Sequence, residues 1–451
     1  MKIRIWPSLF ALFLTALTLS CQHGNLAPQN PTTTSNEPES LKKIDHVIVI
    51  YLENHSFHNL FAEFPGTSNP LPEGYEGQRD KNGQLYRFLP AIDSRFPKNL
   101  PNKAFPMDPY VGLKQKTPDP VHEFYTCSLE IDGGKMDLFT AYSRVGGLTQ
   151  GYYNMKSTAL WHYASEFTLN DRFFQSAFGG SFLNHQWLIA ARTPYNGDAP
   201  ENMRTILEPD GKTPKKFGIM TTDGYAVNSI QPLEPPYDPH EKNELRRLPP
   251  LTYENIGDRL SDKNISWAWF SGGWDEASAG KAKSDFQFHH QPFVYFKNYG
   301  PNTPGRRDHL KDEKDFFASV ENKQLPQVSF IKPTGDENAH PGYSDVDSAD
   351  GKLRKMVEAV QHSSYWDHSL IIVTFDEYGG FWDPIAPPTV DRWGPGPRIP
   401  AIFISPLVKK HYVDHTPAET ISILALIEAK FSLPALTERD AQASKMFEVF
   451  E

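Results

Sequence analysis

A chain of 451 residues with 45 lysines and arginines against 55 aspartates and glutamates carries a formal net charge of −10 and a sequence pI near 5.9. That balance argues against a nucleic-acid binder, whose usual footprint is a basic patch that holds the phosphate backbone. Its 30 phenylalanines, 19 tyrosines, 9 tryptophans and 39 prolines exclude disorder as well, and call for a large core with long structured loops.

In chain order, Lys2 and Arg4 precede an apolar stretch, Leu9 to Leu19, that ends at Ser20 before Cys21, the layout of an export signal. The stretch is shorter than the roughly 20 apolar residues that span a bilayer. Thr18-Leu19-Ser20-Cys21 resembles a bacterial lipobox with its leucine one place early, at Leu17. It predicts a lipid anchor on Cys21, the alternative being ordinary signal cleavage nearby. Residues 1–21 are thus read as a signal peptide, and polar, proline-rich 22–42 as a flexible linker. The expected location is periplasmic or outer-membrane-anchored, or secreted if the lipid is absent. With Cys21 in the leader, Cys127 has no disulfide partner.

Residues 43–451 read as a single domain. Asp45–Leu52, Ile265–Phe270, Gln327–Lys332, Ser369–Phe375 and Pro400–Ser405 are expected strands, apolar enough to be covered on both faces. Helices are expected at Met155–Ser165, Phe182–Ala191, Lys352–His362 and Glu419–Phe431. The alternation predicts an α/β fold with a mostly parallel central sheet and helices on both faces. Gly66–Pro120 and Thr193–Pro250, rich in Pro, Gly and Asn, are expected as long excursions that border a site.

Two strands end alike. The first stops at Glu53, Asn54 and His55, and Ser369–Phe375 stops at Asp376 and Glu377, followed by Gly379 and Gly380. Ligands in open α/β sheets bind outside the carboxyl ends of strands. If the two strands are neighbours, three carboxylates and an amide converge. Their repulsion is relieved most simply by a hard divalent cation, since such ions take oxygen ligands. The plainer reading, carboxylates that cap helices or meet water, competes for each pair alone.

Gly179-Gly180-Ser181 precedes good helix formers, which places Ser181 at a helix N-terminus as an N-cap or as a nucleophile. The exposed N–H groups and the helix dipole there favour an alkoxide or a phosphate. A Gly-x-Ser-x-Gly elbow is excluded, because Leu183 stands where the second glycine belongs. His122, His289, His290 and His340 lie in loop-like stretches and are candidates to bind a phosphoryl group or to protonate a leaving group. Asp345 to Gly351 fails as a calcium loop, with Met356 where a bidentate Glu is required, and reads as Asx turns before the Lys352 helix.

Taken together, residues 43 to about 435 resemble the bacterial phosphoesterase family that holds phosphatidylcholine-type phospholipases C and acid phosphatases. The stretches that carry this are Ile44 to Gly66, the segment Gly335 to Gly342, and Phe375 to Pro388. Ala177 to Gln186 is closer to the acid phosphatase branch, where the serine is the nucleophile. The resemblance implies an alkaline-phosphatase-like fold, one catalytic domain and a phosphoserine intermediate. It also implies one divalent metal ion on Glu53, Asn54, Ser181, Asp376 and Glu377. His122, His289 or His290, and His340 would bind phosphate and transfer protons, with Asn184 and His185 assisting. Pro384 stands where the family usually has His.

Acid phosphatase activity is the first expectation, and phospholipase C the second. Trp267, Trp269, Trp274 and Phe286 are either core or a cage for a quaternary amine. A non-catalytic surface lipoprotein is the third. The expected partner is a small phosphate ester or a phospholipid headgroup, with no nucleic acid, and with membrane contact only through the lipid on Cys21.

Overall fold

A computed structural model describes residues 37–238 and 241–451, which form one compact unit. The expected signal peptide, the lipobox-like stretch and most of the expected linker lie outside the described residues. The folded body reaches back into that linker, because Glu39–Lys42 is a helical turn with Leu41 fully buried. Ser40 Oγ donates to the Glu451 carbonyl at 2.9 Å and ties the two ends of the described chain together.

The main sheet has eight strands, here numbered in chain order: β1 (His46–Leu52), β2 (Thr168–Asn170), β3 (Trp267–Ser271), β4 (Leu310–Asp312), β5 (Val328–Lys332), β6 (Ser369–Phe375), β7 (Ala401–Ile404) and β8 (Tyr412–Asp414). Their spatial order is β4-β3-β5-β1-β6-β7-β2-β8. Every pairing is parallel except those of β7, which runs antiparallel to β6 and β2. Val47 to Leu52 and the whole of β6 are buried, so both faces are covered and the Val/Ile runs have no exposed side on which to alternate with polar residues.

Helices supply the cover. The longest, Val346–Gln361, buries Val346, Ala349, Leu353, Met356, Val357 and Val360, the spacing of one helical face. It starts six residues earlier than the spacing suggested. Asp345 is its N-cap, accepting from Ser348 N–H at 2.9 Å, so the rejected calcium loop is the first two turns of this helix. Ser181–Ala190 is buried at all ten positions and packs against Ile256–Asp262 and Ser422–Phe431. Trp267, Trp269, Trp274 and Phe286 are all buried in the core; none forms a cage.

Ser422–Phe431 contains one misfit. Glu428 is 5% exposed, beside Asp440, and burial pushes its carboxyl up to about 9. Folded chain therefore holds a proton that unfolded chain gives up, so stability falls as pH rises from the ordinary glutamate value through about 9. We expect Glu428→Gln to melt several degrees above wild type at pH 8 and close to it at pH 5, by calorimetry. Equal melting at both values would show that the proton is not held.

Candidate active site

The register of the central strands builds the site. β1 and β6 pair from His46↔Ser369 to Leu52↔Phe375, so the next residues, Glu53 and Asp376, emerge side by side at the carboxyl edge. Asn54 adopts a left-handed conformation (φ 61°), which an asparagine tolerates. A side chain at Gly379 would lie 2.1 Å from the Asn54 carbonyl, and only glycine allows that approach. Asp376 Oδ1 accepts from the Glu377 N–H at 2.8 Å and the Asn54 N–H at 3.4 Å. Its Oδ2 is left facing the cluster.

Ser181 is the first residue of its helix and Gly180 the N-cap. Asn184 holds the turn before it, accepting from Ala177 N–H at 3.0 Å and donating to the carbonyls of Ala177 and Gly179 at 3.2 Å. A side chain at Gly179 (φ 82°) would lie 2.5 Å from Phe124 N, so this glycine is obligatory too. The result places Ser181 Oγ 3.3 Å from Asn54 Oδ1, to which it donates, with only 6% of the residue exposed.

The histidines divide. His122, His289 and His340 line a pocket of about 460 Å³ whose wall also includes Ser181, Asp119, Ile219, Asn228, Gln287 and Tyr343. The Thr193–Pro250 excursion thus forms part of the wall. His290 is buried instead against Glu53 Oε1 and stacks on His185 at 5.4 Å. His122 donates from Nδ1 to the Pro120 carbonyl (3.0 Å), which leaves Nε2 a bare acceptor 3.7 Å from Glu377 Oε1. Pro384 is buried and not part of this wall.

Charge in the cluster is unevenly met. Burial works against ionised Glu53, but His290 and Lys332 outweigh it and hold the carboxyl well below the usual range. Burial pushes Asp376 up to about 7 and Glu377 well above the carboxylate range. It lowers His122, and drives His290 down to about 4 although Glu53 touches it. Buried acids and bases without a sufficient counter-charge take their neutral forms.

The residues fit a cation. Asp376 Oδ2 and Glu377 Oε1 are buried and accept no hydrogen bond. Glu53, His185 and Asp376 offer ligand atoms within 4.8 Å of one another, and so do Asp119, His122 and His340 at the pocket. Sequence reasoning missed Lys332, Asp119 and Tyr343. Lys332 ends the strand beside β1, so the rule that found Glu53 and Asp376 applies to it as well. Tyr343, which stacks on His340 at 4.1 Å and donates to Glu53 Oε2 at 3.0 Å, carried no such signal.

An α/β sheet with two acidic strand ends facing a helix-borne serine is an arrangement suited to ester hydrolysis at phosphorus. The chain belongs to the Phosphoesterase family, which it matches over residues 44–434. It is similar to phospholipase C B of Mycobacterium tuberculosis, 24% identical over 92% of this chain and 78% of the relative. It is also similar to a probable acid phosphatase of Kluyveromyces lactis, 27% identical over 43% of this chain and 46% of the relative. Among solved structures, a protein in the alkaline phosphatase superfamily from Vibrio parahaemolyticus overlaps 73% of this chain and 70% of its own, at 11% identity and a TM-score of 0.35.

Proposed function

We propose that this hydrolase of phosphoric esters is an acid phosphatase, acting on small phosphate monoesters through a phosphoserine on Ser181. The observation that carries the reading is Ser181 Oγ at a buried helix N-terminus, 3.3 Å from Asn54 Oδ1, with Ser181 lining the same pocket as His122, His289 and His340. Oγ attacks phosphorus as the bond to the departing alcohol breaks. The wall histidines His122, His289 and His340 accept the Oγ proton and return a proton to the alcohol, His122 and His289 being neutral at rest. The helix N-terminus and the remaining histidines stabilise charge on the equatorial oxygens. Water attacks the phosphoserine from the vacated side, and the phosphoserine P–O bond breaks to return the hydroxyl.

One divalent ion fits Glu53, Asn54, Asp376 and Glu377, joined by Ser181 Oγ, and when bound it would supply Lewis acidity to the hydroxyl and to the phosphoryl oxygens. Asn184 keeps the serine's turn in place. His185 donates from Nδ1 to the Ser181 carbonyl at 2.7 Å, which orients its Nε2.

A monoester is favoured over a choline diester because the four aromatics expected as an amine cage, Trp267, Trp269, Trp274 and Phe286, are buried in the core. The likeness to M. tuberculosis phospholipase C B supplies the second reading, cleavage of phospholipid headgroups. Export rests on the N-terminal segment, and no helix among the described residues is long and apolar enough to cross a membrane. Hydrolysis of p-nitrophenyl phosphate and of p-nitrophenyl phosphorylcholine from pH 4 to 8, with and without chelator, is the test. Faster, chelator-sensitive monoester turnover on the acid side is expected. Preference for the choline diester would replace the phosphatase reading with the phospholipase.

A further inference from the structure

We propose that Lys332 is the resident counter-ion of the carboxylate cluster. It holds Glu53 and Asp376 in place when no ion is bound, and it competes with a divalent ion for them. This rests on the reading of Glu53 and Asp376 as cation ligands.

Lys332 is the last residue of β5, and Ile331 is in register with Ile50 of β1, so its side chain emerges at the edge where Glu53 does. It is fully buried, and lysine is almost never so unless paired. Its Nζ lies 2.8 Å from Glu53 Oε1 and 3.9 Å from Asp376 Oδ2, and donates to the Leu52 carbonyl at 3.4 Å. The ammonium also stands 5.2 Å from the centre of the Tyr51 ring, a favourable cation–π position. Lys332 lies behind the pocket wall and acts through the carboxylates it touches, so it is a positioning residue.

The three buried carboxylates, Glu53, Asp376 and Glu377, bring three negative charges when ionised. Lys332 balances one and leaves two, the charge of a single divalent ion. Two cations that share the same carboxylates repel each other, and the coupling is reciprocal: what Lys332 costs the ion, the ion costs Lys332. The lysine therefore weakens retention of the ion while keeping the ligand set assembled without it.

The test compares wild-type chain with Lys332→Met, titrating Mn²⁺ by the electron spin resonance of the free ion and measuring melting with and without Mn²⁺. The variant is expected to bind Mn²⁺ more tightly by about 5–150-fold, the usual range for such coupling. Its metal-free form should melt lower than wild type, so the gap between metal-free and metal-bound melting widens. A lysine that only fills space would lower both melts equally and leave the affinity unchanged, which overturns the proposal. Weaker binding in the variant overturns it too.

Lys332→Gln keeps a donor but not the charge, and it reports the same sign if the methionine variant does not fold. Failure of both to fold even with Mn²⁺ present counts against the proposal, because the ion should then compensate for the missing charge. The outcomes separate this proposal from the phosphatase reading. Wild type that binds Mn²⁺ without hydrolysing either ester retires the hydrolytic reading and leaves the affinity comparison intact. Wild type that binds none overturns the cation site and Lys332 together, whatever its activity.

Discussion

Ser181→Ala is expected to lower turnover of p-nitrophenyl phosphate on the order of 10⁴-fold or more, the scale seen when a covalent nucleophile is deleted. The effect is large because, among the described residues lining the pocket, only Ser181 offers a hydroxyl at a helix N-terminus. Asn54 Oδ1, which accepts from Ser181 Oγ, is an amide oxygen and cannot replace it as a nucleophile. The alanine side chain fits the same turn, since Asn184 and Gly179 fix that backbone without help from the serine hydroxyl. Folding and melting should therefore be unchanged, which separates lost chemistry from lost structure. Acid quench of wild type during turnover should trap phosphate on a Ser181 peptide by mass spectrometry. A variant that retains a tenth of the wild-type rate would exclude the covalent route.

The second large effect is on stability. Arg398 is fully buried, with Nε and Nη2 donating to Asp383 Oδ1 and Oδ2 at 2.8 and 3.1 Å. It also donates to the Asp171 carbonyl and to Asn69 Oδ1, each at 2.7 Å, and lies over the Phe57 ring. Asp383 closes the network by accepting from the backbone of His58 and Ile385 at 3.1 and 2.8 Å. Arg398→Ala leaves that carboxylate buried and unpaired, which costs roughly 3–5 kcal/mol. Against a total of about 5–15 kcal/mol, this is a large part of the fold's stability. Soluble yield should fall and melting should drop by about 4–6 °C, while Arg398→Ala with Asp383→Leu should recover part of the loss. Melting within a degree or two of wild type would mean that the pair contributes little. The same network places Asp383 away from the pocket, so exchange of the usual histidine for Pro384 falls on a structural turn.

The central strands and the acidic strand ends were readable because burial on both faces forces a continuous apolar run, and a polar group that ends such a run stands out. Lys332 ends its run in the same way but reads as ordinary strand termination, since charge pairing across strands is invisible without their order. β2, β4 and β8 have three residues each, too short for any period to show. The start of the Val346 helix was hidden by polar residues on its solvent face. Trp267 and Trp269 look like either cage or core in a linear text; only their place on β3 decides. His289 and His290 are adjacent in sequence yet serve opposite sides, one on the pocket wall and one against Glu53.

The hydrogen bond from Ser40 to Glu451 has a practical corollary. Both ends of the described chain meet near the start of β1, while Glu53 and Asn54 leave its far end. The seven residues of that strand span about 20 Å. A support or fusion partner joined at either end therefore sits behind the sheet, and the pocket mouth stays open to solution. Immobilised enzyme should keep its KM for small esters whichever end is attached.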